Sequence, residues 1–154
     1  MDTVASIDAD RARAWSFLSA FLSLDAGSAL QLTLQLRPRE SDYARVFVGA
    51  SASRVHAGYL PFWSAPVAPL PRAGQSNLIV TAALAAELGL GTTAARAFPG
   101  AYTQIASRLQ PDRVWVAWKY TRPGEPYGMA WDGLVWMDDR WAWFPKPWRV
   151  LVDA

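Results

Sequence analysis

The chain has 154 residues, 52% hydrophobic and 18% charged, which suits a single α+β-sized domain with one core and excludes intrinsic disorder. Its net charge of +2 rests largely on arginines scattered from Arg11 to Arg149, so no basic run offers nucleic acid a footprint, and no apolar run reaches membrane-spanning length. The absence of cysteine excludes disulfides, thiolate catalysis and cysteine-ligated metal, and it fits a reducing, cytoplasmic location.

In the N-terminal region, Ala14, Trp15, Phe17, Leu18, Phe21, Leu22 and Leu24 fill one half of a helical wheel, and Ser16, Ser19 and Ser23 share a line on the other. Ser6 or Asp8 offers this helix a cap, and Gly27 is positioned to end it. Arg11 and Arg13 before the apolar stretch, with Ala26 to Ala29 after it, imitate a secretion signal and make a secreted or periplasmic protein the minor alternative; Asp2, Asp8 and Asp10 spoil the positive leader such a signal needs.

From Leu30 to Leu36 leucines alternate with Gln31, Thr33 and Gln35, the period of a strand, although leucine and glutamine are also good helix formers and a short helix remains open. Between Ser41 and Trp63, Tyr43, Val46, Phe47, Ala50 and Ala57 form one helical stripe and Val48, Val55 and Tyr59 a second, while Arg45 to Val48 reads equally as a strand. Pro61, Pro66, Pro69 and Pro71 make the segment up to Gly74 a connecting loop. Residues 77–81 form a strand candidate, with Thr81 capping a brief helix that ends at Gly89, and a further helix is expected from Pro99 to Pro111.

The C-terminal third is the most legible. Residues 113–122, 127–137 and 140–144 are rich in valine, tryptophan and tyrosine, and turn formers at residues 123–126 and 138–139 separate them, which predicts a three-stranded antiparallel meander. Pairing Arg122 with Tyr127 and Met137 with Arg140 assigns the faces by period two. Trp115, Ala117, Lys119, Ala130, Asp132, Leu134, Trp136, Trp141 and Trp143 fall on one; Val116, Trp118, Tyr120, Met129, Trp131, Val135, Met137, Ala142 and Phe144 fall on the other. Both faces are apolar, and a helical layer covers one, so the other is expected to line a pocket, lie under a loop or meet a partner.

Asp132 is the leading chemical candidate, because a carboxylate in mid-strand among apolar residues is costly unless paired. It reads either as a general acid or base in an aromatic pocket or, structurally, as the partner of Lys119 on the same face or as part of an Asp132-Gly133 bulge. His56, the single histidine, falls on the polar side of its helix and reads as a solvated histidine first and a partner for proton transfer second. A zinc site lacks a ligand cluster, Gly49 to Ser53 lacks the second glycine of a nucleophile elbow, and Gly89 to Gly91 lacks the spacing of a phosphate loop, so neither metal nor cofactor is expected. The segment from Phe144 to Arg149 is extended and expected to dock across the sheet edge.

Helices followed by a curled antiparallel sheet, with aspartate-containing turns at Asp132-Gly133 and Asp138-Asp139 and tryptophan on the next strand, resemble the nuclear-transport-factor-2-like superfamily of small α+β cones. That resemblance implies a hydrophobic cavity between helices and sheet and homodimer formation through the outer sheet face. Family members include isomerases, cyclases, dehydratases and non-enzymatic binding modules, but the family's catalytic dyads find no match here.

Two function classes follow. The first is a non-catalytic binding or protein-interaction module that uses Trp115, Trp118, Lys119, Tyr120, Trp131, Trp136, Trp141 and Trp143 to hold a small apolar ligand, a protein partner or a second copy. The second is a small-molecule enzyme with Asp132 as general acid or base, assisted by His56 or Tyr120.

Overall fold

A computed structural model describes residues 3–151, with side chains described from residue 6; Asp2 lies outside the described residues. Helix α1 (Thr3–Leu18) runs on into a 3-10 turn (Ser19–Leu22), and α2 (Ala26–Leu34), α3 (Glu40–Val46) and α4 (Ser51–Ser64) follow. Strand β1 (Asn77–Leu84) leads through three one-turn helices, α5 (Ala85–Leu88), α6 (Thr93–Arg96) and α7 (Tyr102–Ile105), to the meander β2 (Val114–Thr121), β3 (Gly128–Trp136) and β4 (Trp141–Trp143). A last 3-10 turn spans Pro147–Arg149. The strands form one antiparallel sheet in the order β1-β2-β3-β4, so the architecture is the α+β arrangement of helices followed by a C-terminal meander, with β1 added as a fourth strand.

Several local expectations are corrected. Ser6 and Asp8 lie inside α1 rather than capping it, and Gly27 lies inside α2, whose cap is Asp25: its carboxylate accepts the Ser28 amide at 2.7 Å. The alternating leucines belong to that helix. Ala29 and Thr33, four residues apart, turn inward, and Leu30 and Leu34 point to solvent, because a capped helix satisfies its own backbone where an isolated strand would not. Trp15, placed on the apolar half of its wheel, is half exposed.

Between Ser41 and Trp63 both competing readings are partly present. The two helices α3 and α4 flank a break at which Phe47 makes a single antiparallel bridge to Leu109, with the Val48 amide donating to Arg108 and the Gln110 amide to Val46. Helix α4 continues through Pro61 to Ser64, so the connecting loop begins later than its prolines imply. The Pro61 ring faces solvent, and Phe62 and Trp63 pack edge-on against Trp143 with centroids 5.5 and 6.4 Å away, which holds the last turn in place. Thr81 is no cap: it lies in the middle of β1 opposite Ala117, and the helix after β1 starts at Ala85. The helix expected from Pro99 contracts to Tyr102–Ile105 and a 3-10 turn.

The hairpin registers hold. Thr121 faces Gly128, in step with the expected pairing of Arg122 and Tyr127, and the Met137 amide donates to the Arg140 carbonyl at 2.8 Å. The faces do not hold along their whole length, because Gly133 forms a β-bulge opposite Val116 and Ala117, with φ at +96°. One extra residue reverses the alternation beyond it. Val135, Ala142 and Phe144 therefore share a face with Trp115, Ala117 and Asp132, whereas Leu134, Trp136, Trp141 and Trp143 join Trp118 and Tyr120.

Helical structure covers both faces, contrary to the one-sided shielding expected. Helix α1 lies over β1 and β2, burying Ala14 and Leu18, and the Tyr120 hydroxyl on that face donates to the Leu18 carbonyl at 3.0 Å. On the opposite face, Phe47, Tyr102 and Phe144 close around Trp115 with ring centroids between 5.7 and 6.0 Å from it. Tryptophan here is mainly core, and the uncovered remainder is confined to one stretch of sheet.

Candidate functional site

The uncovered stretch lies around Asp132, the last β3 residue before the bulge. Its floor is the sheet face of Ile79, Thr81, Ala117, Lys119, Ala130 and Asp132, where small side chains leave depth. Ala97 and Pro99 wall it from the α6–α7 connection, and Lys146 and Trp148 from the C-terminal segment; Trp118 and Trp131 also border it, and the cleft holds about 340 Å³. A second cleft of about 350 Å³ opens beside the outer edge of β3, lined by Gly58, Tyr59, Phe62 and Val67 from α4 and its exit, by Trp131, Asp132 and Trp143, and by Pro145, Lys146, Arg149 and Val150. Asp132, Lys146 and Trp131 belong to both.

The Asp132 residue is only 5% exposed, and its hydrogen bonds are one-sided. Oδ1 accepts the Tyr102 hydroxyl at 2.6 Å and the Lys146 amide at 3.1 Å, whereas Oδ2 accepts none among the described residues. Burial raises the carboxyl above its ordinary 3.8, against the Tyr102 and Lys146 hydrogen bonds and the charges of Lys146 and Arg149, which pull it down. Burial, and then the Asp132 charge, push the Tyr102 hydroxyl well above its ordinary range, so it stays a donor; burial and the same charge act likewise on Tyr59, whose hydroxyl donates to the Pro145 carbonyl at 2.8 Å. That bond, the left-handed conformation of Lys146 (φ 47°) and the Trp143 indole donating to the Asp132 carbonyl at 2.8 Å hold the C-terminal segment where it crosses the sheet edge and comes to lie over the sheet face, though the segment turns at Pro147–Arg149 rather than staying extended as expected.

The other candidates divide. Lys119 shares the face of Asp132 but turns toward the hairpin, donating to the Pro126 carbonyl at 2.6 Å and approaching the Tyr127 ring, so the expected Asp132–Lys119 pair does not form. A lysine head favours the hydrated turn over a buried carboxylate its stem would have to bend back to reach. His56 is half-buried, stacked on Tyr43 with centroids 4.7 Å apart, and lines neither cleft. Trp115 and Tyr120 are core residues; Trp136 pairs with Trp141 at 5.0 Å and carries Arg13 over its ring at 4.3 Å. Trp118, Trp131 and Trp143 reach the clefts.

Tyr102, Tyr59, Lys146 and Arg149 escape a linear reading. Tyr102 has the helical spacing of a core residue, and nothing local marks its hydroxyl as aimed at a strand thirty positions later. At the far end of β3 and β4, Arg45 and Arg113 hold Asp138 at 3.1 and 3.4 Å, and Arg140 reaches the buried Asp42 at 2.7 Å; this network clamps the turn to α3. Among the described residues, no His, Cys, Asp and Glu side chains gather as a metal site, and no helix is long and apolar enough to cross a membrane. Family models, curated proteins and solved structures all return no match to the chain.

Proposed function

We propose that this protein is a binding module that holds a small, mainly apolar ligand in the cleft over the β1–β3 sheet face, with Asp132 Oδ2 as its directional contact. The observation that carries this reading is the pairing of a cleft floored in part by the small side chains of Thr81, Ala117 and Ala130 with an Asp132 carboxyl oxygen that has no protein partner among the described residues. The volume falls at the lower end of the range typical of small-molecule sites, and an apolar surround with a single polar anchor is their usual composition. Asp132 Oδ2 favours a ligand that carries a hydrogen-bond donor, and Lys119 and Lys146 at the border favour an anionic or acceptor group at its outer end. The cavity between helices and sheet implied by the resemblance to nuclear-transport-factor-2-like domains is part of this proposal, and so is residence in the cytoplasm.

Anilinonaphthalene sulfonate, an apolar anion, is the probe. The chain should bind it at one site, and Thr81→Trp, which fills the cleft from β1, should abolish the fluorescence gain. An intact protein that leaves the probe dark, or an unchanged signal in Thr81→Trp, would refute the reading.

A second reading makes the same cleft catalytic, with Asp132 transferring a proton. It is favoured by one observation: a carboxyl whose pKa is raised by burial faces the cleft with a free oxygen. Asp132→Asn separates the two. A binder keeps its probe affinity to within about threefold, since the amide retains an acceptor oxygen. An enzyme loses turnover of any substrate bound there.

A further inference from the structure

Strand β4 covers only part of β3. Its ladder takes in Leu134, Val135 and Trp136, and the chain then leaves the sheet, with the Phe144 amide donating to the Gly133 carbonyl at 2.7 Å before the segment rises over the sheet face. Among the described residues, the other half of β3, from Gly128 to Trp131, has no strand beside its outer edge.

The direction of its backbone groups follows from the register. The Asp132 carbonyl points outward, since the Trp143 indole reaches it from that side. In an antiparallel strand, outward groups recur at every second residue, so Ala130 and Gly128 also direct both N–H and C=O away from β2. Both residues are exposed, and among the described residues neither has a backbone partner on that side. The edge runs straight into the second cleft, where Phe62, Val67, Trp131 and Trp143 form an apolar wall and Lys146 and Arg149 supply positive charge.

We infer that this edge is a docking site for an extended, acidic segment of another protein, which adds a fifth strand beside Gly128–Trp131 and places an apolar side chain in the cleft. Main-chain bonds to Gly128 and Ala130 give such a strand its affinity, and alternate side chains give it selectivity. Charge identifies the occupant. Lys146 and Arg149 line the cleft beside the edge, and Asp132, which borders it too, is already engaged by the Tyr102 hydroxyl and the Lys146 amide. A second copy related by a two-fold axis would set these cations against one another, whereas a segment with glutamate or aspartate at alternate positions meets them as counter-charges.

Selection of displayed random seven-residue peptides on the whole chain tests this. Enriched sequences should alternate acidic and apolar residues, and a synthetic peptide of the winning sequence should bind Ala130→Pro about tenfold or more weakly, because proline removes an outward donor that the sheet itself does not use. Thr81→Trp should bind that peptide as the parent does, since Thr81 lines only the sheet-face cleft; this separates failure here from failure of the proposed ligand site. Should Ala130→Pro not fold, Arg149→Glu carries the test: the acidic preference should vanish. No enrichment, enrichment without acidic alternation, full binding by Ala130→Pro, or a concentration-dependent dimer abolished by that substitution would each overturn the inference, the last by giving the edge to a second copy.

Discussion

Asp132 shows how one residue couples stability to pH. Burial is the largest influence on its carboxyl and raises it above the 3.8 of an unfolded chain, so the folded protein holds this proton to higher pH. The stabilising contribution is therefore complete below about 3.8 and is lost as pH rises through the folded-state titration. Asp132→Asn, which cannot ionise, should gain stability relative to the parent as pH is raised from 4 toward 7, measured by urea denaturation at each pH. Tyr102→Phe should do the opposite. It removes the 2.6 Å bond that favours the ionised form, costing about 2 kcal/mol at pH 7 and less near pH 4. A pH-independent difference in both variants would show that Asp132 does not titrate with folding. The sequence singled out this carboxylate because ionised groups are expensive in a strand, but it named the wrong partner, since Tyr102 belongs to a helix and hydrogen bonds across folds leave no trace in spacing.

At the scale of elements, the bulge at Gly133 decides which aromatic residues face which way. A β-carbon built there would lie 2.1 Å from the Phe144 carbonyl oxygen, and φ at +96° is strained for any side chain. Gly133→Ala should cost about 3 kcal/mol or more, seen as a lower urea midpoint, with an unshifted midpoint ruling out the strained bulge. The meander was legible in the sequence because its strands alternate and its turns are chemically marked. The exchange of faces was not, because the bulge that Asp132-Gly133 offers was one alternative among several there, and period-two counting has no term for an inserted residue. Helix α2 was ambiguous for a related reason: alternating leucines satisfy a strand's period, and only the Asp25 cap, paired with Ser28, breaks the tie. The extension of α4 past Pro61 depends on aromatic contacts to Trp143 made eighty residues away, beyond the reach of any local rule.

For the whole molecule, shielding of the sheet depends on its first helix. Leu18 and Phe21 are almost fully buried, and each contributes about 1.5–3 kcal/mol against a typical total stability of about 5–15 kcal/mol. A chain beginning at residue 23 should therefore lose its cooperative thermal transition and its near-ultraviolet circular dichroism; a sharp melt equal to that of the whole chain would contradict the role given to α1. The α+β class, with helices ahead of a C-terminal antiparallel meander, could be read from the sequence. The enclosure of both faces could not, because it depends on where short helices between β1 and β2 come to rest.

Asp132, Lys146 and Trp131 belong to both hollows, and together they make the partition between them. A guest on the sheet face would use a carboxyl, and lean on a stretch of main chain, that also borders a guest at the edge. Two such guests would lie back to back against that wall without touching.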